Sequence, residues 1–199
     1  MVMSREYWRG IWSNADTAFS SDWWIDGPHK LIRRTVESGC LLPGCSILEI
    51  GCGAGQQANW LSQNGFRVVG FDFSPEAIDR ACRDYAAPGD PRFVVADATS
   101  DEWPDAISGS FDAIIDAGCF HVIPHDQHER YLANVISWSR TGTRYVLIAA
   151  CGRTAPAQRF HQVRILFQDH FDLISCEESL GCLPRRPDLK MMVFRLQRR

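Results

Sequence analysis

A glycine-rich turn between an apolar segment and a helical pattern is the feature that most constrains this chain. Residues 45–50 (CSILEI) are apolar and short, as expected of a buried strand, and 56–63 have helical spacing. Between them, Gly51, Gly53 and Gly55 let the backbone turn sharply and approach a ligand closely. The first turn of the helix offers unpaired N–H groups at the same place. The sequence therefore predicts a strand–turn–helix unit that binds a ligand at its turn.

Strand and helix patterns alternate along the rest of the chain. Further strands are predicted at 66–73, 92–96, 111–115 and 145–150, and helices at 75–86, 126–139 and 161–169. Residues 174–178 and 191–196 are predicted to pair as a final antiparallel hairpin. This alternation predicts an α/β fold with a doubly wound, mostly parallel sheet, which binds ligands at the carboxyl ends of its strands.

Residues 1–44 are predicted to form a helical extension of a core at 45–199, within one structural domain. The extension holds four of the seven tryptophans, and Trp8 and Trp12 are spaced to share one helix face. Residues 13–22 are expected to be a loop, and a helix is expected over 27–38. The aromatic residues can cover a ligand or simply attach the extension to the sheet.

Composition excludes several classes of partner. The net charge of −3 argues against bulk attraction to nucleic acid or to an anionic membrane. No apolar run approaches the ~20 residues of a membrane helix, and the N-terminus lacks the apolar core of a signal peptide. The eight cysteines include no C-x-x-C pair, so we expect buried free thiols, no metal site and a cytoplasmic protein.

An acidic residue after the second strand indicates a cofactor that contains a nucleoside. Asp72 can accept hydrogen bonds from both hydroxyls of a ribose, although a helix-capping aspartate is the plainer alternative. The dinucleotide pattern G-x-G-x-x-G needs a glycine where this chain has Gln56, and Glu49 would repel a pyrophosphate. A nicotinamide-dependent oxidoreductase is therefore disfavoured, and a ligand with a positive charge or an amino group is favoured.

Four segments in order resemble the class I S-adenosylmethionine-dependent methyltransferases. They are ILEIGCGAG at 47–55, VGFDFS at 69–74, VVADA at 94–98 and FDAIID at 111–116. The resemblance covers roughly residues 40–150 and implies S-adenosylmethionine as cofactor. It also implies a seven-stranded sheet of order 3-2-1-4-5-7-6 with an antiparallel last strand.

The resemblance assigns roles to the strand ends. The turn would line the methionine part of the cofactor, the acids would hold its amino group, ribose and adenine, and an aromatic ring would stack beside the adenine. The implied cofactor residues are Glu49, Gly51, Cys52, Gly53, Gly55, Asp72, Phe73, Asp97, Ala98 and Asp116.

The segment after the fourth strand is where this family places residues that face the methyl acceptor. His121 is the candidate catalytic base, with a packed structural histidine as the alternative. A metal site formed by His121, His125 and His128 is disfavoured because no carboxylate accompanies them and direct transfer needs no metal. The predicted acceptor-binding residues are Trp24, Cys119, Phe120, His121 and His125.

The aromatic extension is similar to the lid of the thiopurine, tellurite and small-thiol branch of the family. The acceptor is therefore expected to be a small molecule methylated on sulfur, with oxygen or nitrogen as alternatives. Residues 116–119 (DAGC) replace the Asn/Asp-Pro-Pro-aromatic motif of nucleic-acid amino methylators, which weighs against a nucleic-acid substrate. A cofactor-binding protein without turnover is the alternative from another class.

Overall fold

A seven-stranded sheet forms the centre of the protein in a computed structural model that describes residues 4–85, 89–152 and 154–199. The strands lie in the order 3-2-1-4-5-7-6. The first five are parallel, and the seventh pairs antiparallel with the fifth and the sixth, so the predicted fold class is confirmed. They are β1 (Ser46–Ile50), β2 (Arg67–Asp72), β3 (Arg92–Val95), β4 (Phe111–Ala117), β5 (Ser139–Ala150), β6 (Phe171–Ser179) and β7 (Met191–Arg198).

Helices cover both faces of the sheet. They are α1 (Arg5–Ser13), α2 (Ala15–Ser20), α3 (Lys30–Glu37), α4 (Gln56–Gln63), α5 (Pro75–Tyr85), α6 (His128–Ser137) and α7 (Pro156–Phe167). Alternate residues of each strand point to opposite faces. Ile47 therefore joins a hydrophobic cluster with α3 and α4, while Leu48 joins a second cluster with α6 and α7. Burial on both faces explains why most residues of β1 and β4 are apolar.

Several predicted bounds differ from the structure by up to three residues, among them the helix expected over 27–38, which begins at Lys30, and three predictions differ by more. The loop predicted at 13–22 is wrong, because α2 occupies most of it. Asn14 Oδ1 accepts a hydrogen bond from Thr17 N–H at 3.4 Å, and Ala18 is buried. Asn14 thus caps a helix whose polar sequence has no apolar periodicity.

The other two differences concern the first residues of β5 and α7. Polar residues at these places interrupt the apolar pattern from which the start of an element is predicted. β5 begins six residues before the prediction, in a polar stretch where Thr143 Oγ1 donates to Phe111 O at 2.7 Å. α7 begins at Pro156 rather than at 161, and its buried face includes Arg159. A buried arginine interrupts the apolar spacing from which the start of a helix is predicted.

The described helices are all too short or too polar to cross a membrane. Within the same residue ranges, no group of three or more His, Cys, Asp or Glu side chains is arranged to hold a metal ion. The eight cysteines are free thiols, but Cys40 and Cys82 are exposed, so the expected burial is wrong for these two.

Candidate active site

The glycine turn lies at the carboxyl end of β1, beside the end of β2. Its three glycines all have positive φ, from 54° to 82°. Cys52 N–H donates to Phe71 O at 2.9 Å, which ties the turn to β2. At Gly55 a Cβ would lie 2.7 Å from the Phe93 ring, so the start of α4 can pack this closely only without a side chain. The turn therefore exposes backbone rather than side chains to a ligand.

Asp72 at the end of β2 organises the turn from the opposite side. Its Oδ2 accepts from Gly53 N–H at 3.1 Å and its Oδ1 from Ser74 N–H at 3.0 Å. Burial raises the pKa of Asp72 to about 6, against the opposing effect of these two bonds. Ser74 Oγ in turn caps α5 at Ala77 N–H, 3.3 Å away, so the acid joins two loops at the predicted ribose site.

Glu49 on β1 is a buried carboxylate with an unused oxygen. Its Oε1 accepts from Gln57 Nε2 at 2.9 Å, whereas Oε2 has no partner among the described residues. Burial, together with the smaller effect of the Asp72 and Asp116 charges, raises the pKa of Glu49 to about 8. A buried carboxylate oxygen without a donor is costly unless a ligand supplies one.

These strand-end carboxylates are a test of which cofactor the site fits. Glu49, Asp72 and Asp116 lie at the ends of three adjacent strands, and all three are buried. Asp72 and Asp116 are mostly ionised at pH 7, and Glu49 ionises when a cation binds beside it, so the site disfavours a pyrophosphate and favours a cationic ligand. S-adenosylmethionine carries an ammonium group and a sulfonium, so the residues present fit this cofactor.

The predicted adenine end follows β3. Asp97 Oδ1 accepts from Thr99 N–H and Thr99 Oγ1, both at 2.8 Å, while Oδ2 forms an ion pair with Arg5 of α1. Ala98 is buried, and Phe73 beside it on the neighbouring loop is half-buried. The structure thus places these three residues just after the adjacent strands β2 and β3, but gives one oxygen of Asp97 to the N-terminal helix.

The aromatic N-terminal segment lies against the turn. A Cβ added at Gly53 would lie 2.9 Å from Trp12 Cζ2. Trp23 packs at 5.6 Å from Trp12, and Phe19 packs at 4.5 Å from Trp24, measured between ring centroids. A cavity of about 420 Å³ beside α4 is lined by Phe19, Trp24, Asp26, Ala54, Gln56, Arg80, Asp84, Tyr85 and Arg185.

Asp116 holds the loop after β4 rather than pointing out of it. Its carboxylate accepts from the N–H groups of Gly118, Cys119 and Phe120 at 2.8–3.1 Å and from Tyr131 Oη at 2.5 Å. Burial raises the pKa of Asp116 to about 6. Both oxygens are occupied, so its predicted contact with the cofactor remains a prediction.

The predicted acceptor residues are only partly brought together. Cys119 is close to the turn, since a Cβ at Gly51 would lie 2.9 Å from Cys119 Cβ, and burial raises its pKa, which suits packing rather than nucleophilic attack. Phe120 is fully buried and stacks on His128, and His125 is exposed. Trp24 lies apart from this loop, in the cavity beside α4.

His121 is held in one tautomer. Its Nδ1 accepts a hydrogen bond from Ala150 N–H at 3.3 Å. Burial, together with the charge of Arg159, lowers the pKa of His121 to about 3. The ring is therefore neutral, and its one proton is on Nε2. In this state Nε2 can donate a hydrogen bond and cannot accept a proton.

Three residues near the site were not found from the sequence. Gln57 binds Glu49, Arg5 binds Asp97, and Arg159 influences His121. Gln57 could have been found from its place in the first turn of the helix after the glycines. Arg5 and Arg159 could not, because their contacts join distant parts of the chain.

Comparisons with known proteins agree with the fold. A family model described as a methyltransferase domain matches residues 47–142. The 2-heptyl-1-hydroxyquinolin-4(1H)-one methyltransferase of Mycobacteroides abscessus is 29% identical over 126 residues, which cover 63% of this chain. The chain spans 54% of the length of that relative.

Two solved structures extend the likeness over the whole chain. A TehB-like SAM-dependent methyltransferase from Corynebacterium glutamicum has a TM-score of 0.69 at 26% identity, covering 98% of this chain and 97% of the other. The N-methyltransferase NodS from Bradyrhizobium japonicum, in complex with S-adenosyl-L-homocysteine, has a TM-score of 0.70 at 18% identity, covering 97% of each chain. The family model, the relatives and the solved structures support a class I S-adenosylmethionine-dependent methyltransferase, and they indicate S-adenosylmethionine as the cofactor.

Proposed function

We propose that the protein transfers the methyl group of S-adenosylmethionine to a small-molecule acceptor, preferentially on sulfur. The observation that carries the proposal is the unpartnered oxygen of Glu49, buried beside the glycine turn. It suits the ammonium group of the cofactor better than any neutral or anionic ligand. The bound cofactor supplies a methyl group that its sulfonium has already activated.

The residues of the chain then bind the cofactor and orient the acceptor. The backbone of Gly51, Cys52, Gly53 and Gly55 would line the methionine part, and Asp72 would accept hydrogen bonds from the ribose. Asp97 and Ala98 would bind the adenine, with Phe73 beside it. Trp12 and the neighbouring aromatic rings would exclude water from this end of the site. Orientation of the acceptor for in-line displacement is then the main contribution to the rate.

The acceptor-side geometry favours a nucleophile that arrives ionised. His121 presents a proton rather than a lone pair at Nε2, and both oxygens of Asp116 are occupied. The pKa of Cys119 is raised, so none of these three residues is suited to remove a proton from an alcohol. A thiol ionises near neutral pH without help, which supports sulfur.

Oxygen is the second candidate atom. The relative from Mycobacteroides abscessus is named for a 1-hydroxyquinolone, and an acidic N-hydroxyl group also ionises without a strong base. Methylation of such a group would use the same arrangement.

The test is a methyl-transfer assay with labelled S-adenosylmethionine and matched thiol, phenol and amine acceptors. We expect transfer to the thiol, and loss of most cofactor affinity in Asp72→Ala. The matched control is Asp79→Ala, which changes an exposed aspartate of α5. Cofactor binding without transfer to any acceptor would favour a non-catalytic protein, and transfer to the phenol alone would overturn the preference for sulfur.

A further inference from the structure

Arg159 on α7 is a buried cation without a counter-charge. Only 8% of the residue is exposed, and none of the ion pairs among the described residues involves it. Burial lowers the pKa of Arg159, and the Cys151 thiol opposes this effect. A buried guanidinium without an anion is unfavourable for the fold, so its presence calls for a partner outside the described chain.

One edge of this guanidinium is left open. Nη1 donates to Gln162 Oε1 at 2.7 Å, whereas Nε is buried without an acceptor. Nη2 likewise has no hydrogen-bond acceptor in the part of the chain that the structure describes. Nε and Nη2 form the side of the guanidinium that binds the two oxygens of a carboxylate in parallel.

A chain of hydrogen bonds fixes the orientation of this arginine. Gln162 accepts from Arg159 and directs its Nε2 to His128 Nδ1, 3.3 Å away. His128 Nε2 lies 3.1 Å from Ile123 O, a carbonyl that can only accept, so the proton of His128 is on Nε2. Each hydrogen bond in this series therefore has one allowed direction from donor to acceptor, and the Nε and Nη2 edge of Arg159 stays free.

Arg159 lies on the acceptor side of the site. Its hydrogen bond to Gln162 connects it through His128 to Ile123 O, in the same loop as His121, and its charge contributes to the lowered pKa of His121. His121 follows the carboxyl end of β4, and its Nδ1 is bound at Ala150, the carboxyl end of β5. Both groups present N–H donors, and among the described residues no acid neutralises them.

From this pair of donors we infer that the acceptor is an anion, with a carboxylate or similar group bound by Arg159 and assisted by His121 Nε2–H. The inference rests on the proposed methyl transfer and specifies the substrate class of the same site. It makes Arg159 a specificity-determining residue and His121 a hydrogen-bond donor.

The experiment measures charge selectivity in the complex with S-adenosyl-L-homocysteine. Binding of 3-mercaptopropionate is compared with binding of its neutral isostere, 3-mercaptopropionamide, by titration calorimetry in a chloride-free buffer. We expect the wild type to prefer the anion by about tenfold or more, as for a hydrogen bond to a charged group. Arg159→Met should remove the preference, and Arg159→Lys should keep part of it.

The control is Arg164→Met, which removes an exposed arginine from the same helix and should keep the full preference. Melting temperatures separate function from structure. Arg159→Met should melt at the same temperature or higher, because it removes a desolvated cation, whereas a purely structural arginine would give a lower melting temperature.

Three results overturn the inference: equal binding of the two probes to the wild type, no binding of the anion, or an unchanged preference in Arg159→Met. Failure of the wild type to bind S-adenosyl-L-homocysteine is a different result. It contradicts the proposed function itself, before any acceptor is added.

Discussion

Replacement of Glu49 by glutamine tests whether cofactor binding is coupled to the ionisation of this side chain. Glu49 has a pKa of about 8 in the ligand-free protein, so at pH 7 its carboxyl group is mostly protonated. An ammonium group placed beside the unpartnered Oε2 stabilises the ionised form and lowers this pKa. Binding of the cofactor should therefore release the proton of Glu49 to the solvent.

The size of the release follows from the pKa values. A group with a pKa of about 8 is ~90% protonated at pH 7, so Glu49 should release roughly 0.9 proton per site. Asp72 and Asp116, with pKa values of about 6, are each ~10% protonated at pH 7 and add at most about 0.2 together. Glu49 accounts for most of the expected signal.

The assay is calorimetric titration with S-adenosyl-L-homocysteine at pH 7 in buffers of different ionisation enthalpy. The slope of the observed enthalpy against the buffer's ionisation enthalpy gives the number of protons released. Glu49→Gln should lower it to about 0.2 or less, and Glu129→Gln, at an exposed position of α6, should leave it unchanged. A wild-type release near zero, or an unchanged release in Glu49→Gln, would refute the reasoning.

Three further predictions concern stability. Between pH 7 and pH 8 the raised pKa of Glu49 means that the folded state binds more protons than the unfolded state, so ligand-free stability should fall by about 1 kcal/mol per pH unit. Urea unfolding across this range checks this, and a flat profile would contradict it. Gly55→Ala should destabilise by about 2–4 kcal/mol, because backbone strain at φ 82° adds to overlap with Phe93. The control is Gly109→Ala, because Gly109 has a φ of 96° and a Cβ there would meet no atom within 4 Å. It should lose stability through backbone strain alone, and equal losses of stability in the two variants would refute the contribution of overlap with Phe93. Tyr131→Phe removes the donor 2.5 Å from Asp116 and should cost about 1.5–3 kcal/mol, measured by thermal unfolding; a change below ~0.5 kcal/mol would show that the bond is dispensable.

The strands and the glycine turn could be predicted because their determinants are local. The glycine turn, Asp72 and the apolar strands are each encoded within a few residues, and α4 was predicted with the same bounds as observed. The order of the strands came from the family resemblance, since hydrophobic periodicity does not say which strands pair.

The acceptor side could not be predicted because its contacts are long-range. The bond between Arg159 and Gln162 is local to α7, but His128 joins them from another helix, 34 residues away in sequence. The tautomer of His121 depends on a backbone N–H at Ala150, on a different strand. Three histidines close together in the sequence suggest a catalytic base, whereas the backbone contact at Ala150 leaves His121 as a hydrogen-bond donor.

Cofactor binding is the central claim, and parallel calorimetric titrations with S-adenosylmethionine, S-adenosyl-L-homocysteine and NADH test it most directly. The buried carboxylates predict that the first two bind with micromolar affinity and that NADH, with its pyrophosphate, does not. Binding of NADH alone would contradict the account, because the glycine turn would then be a dinucleotide site.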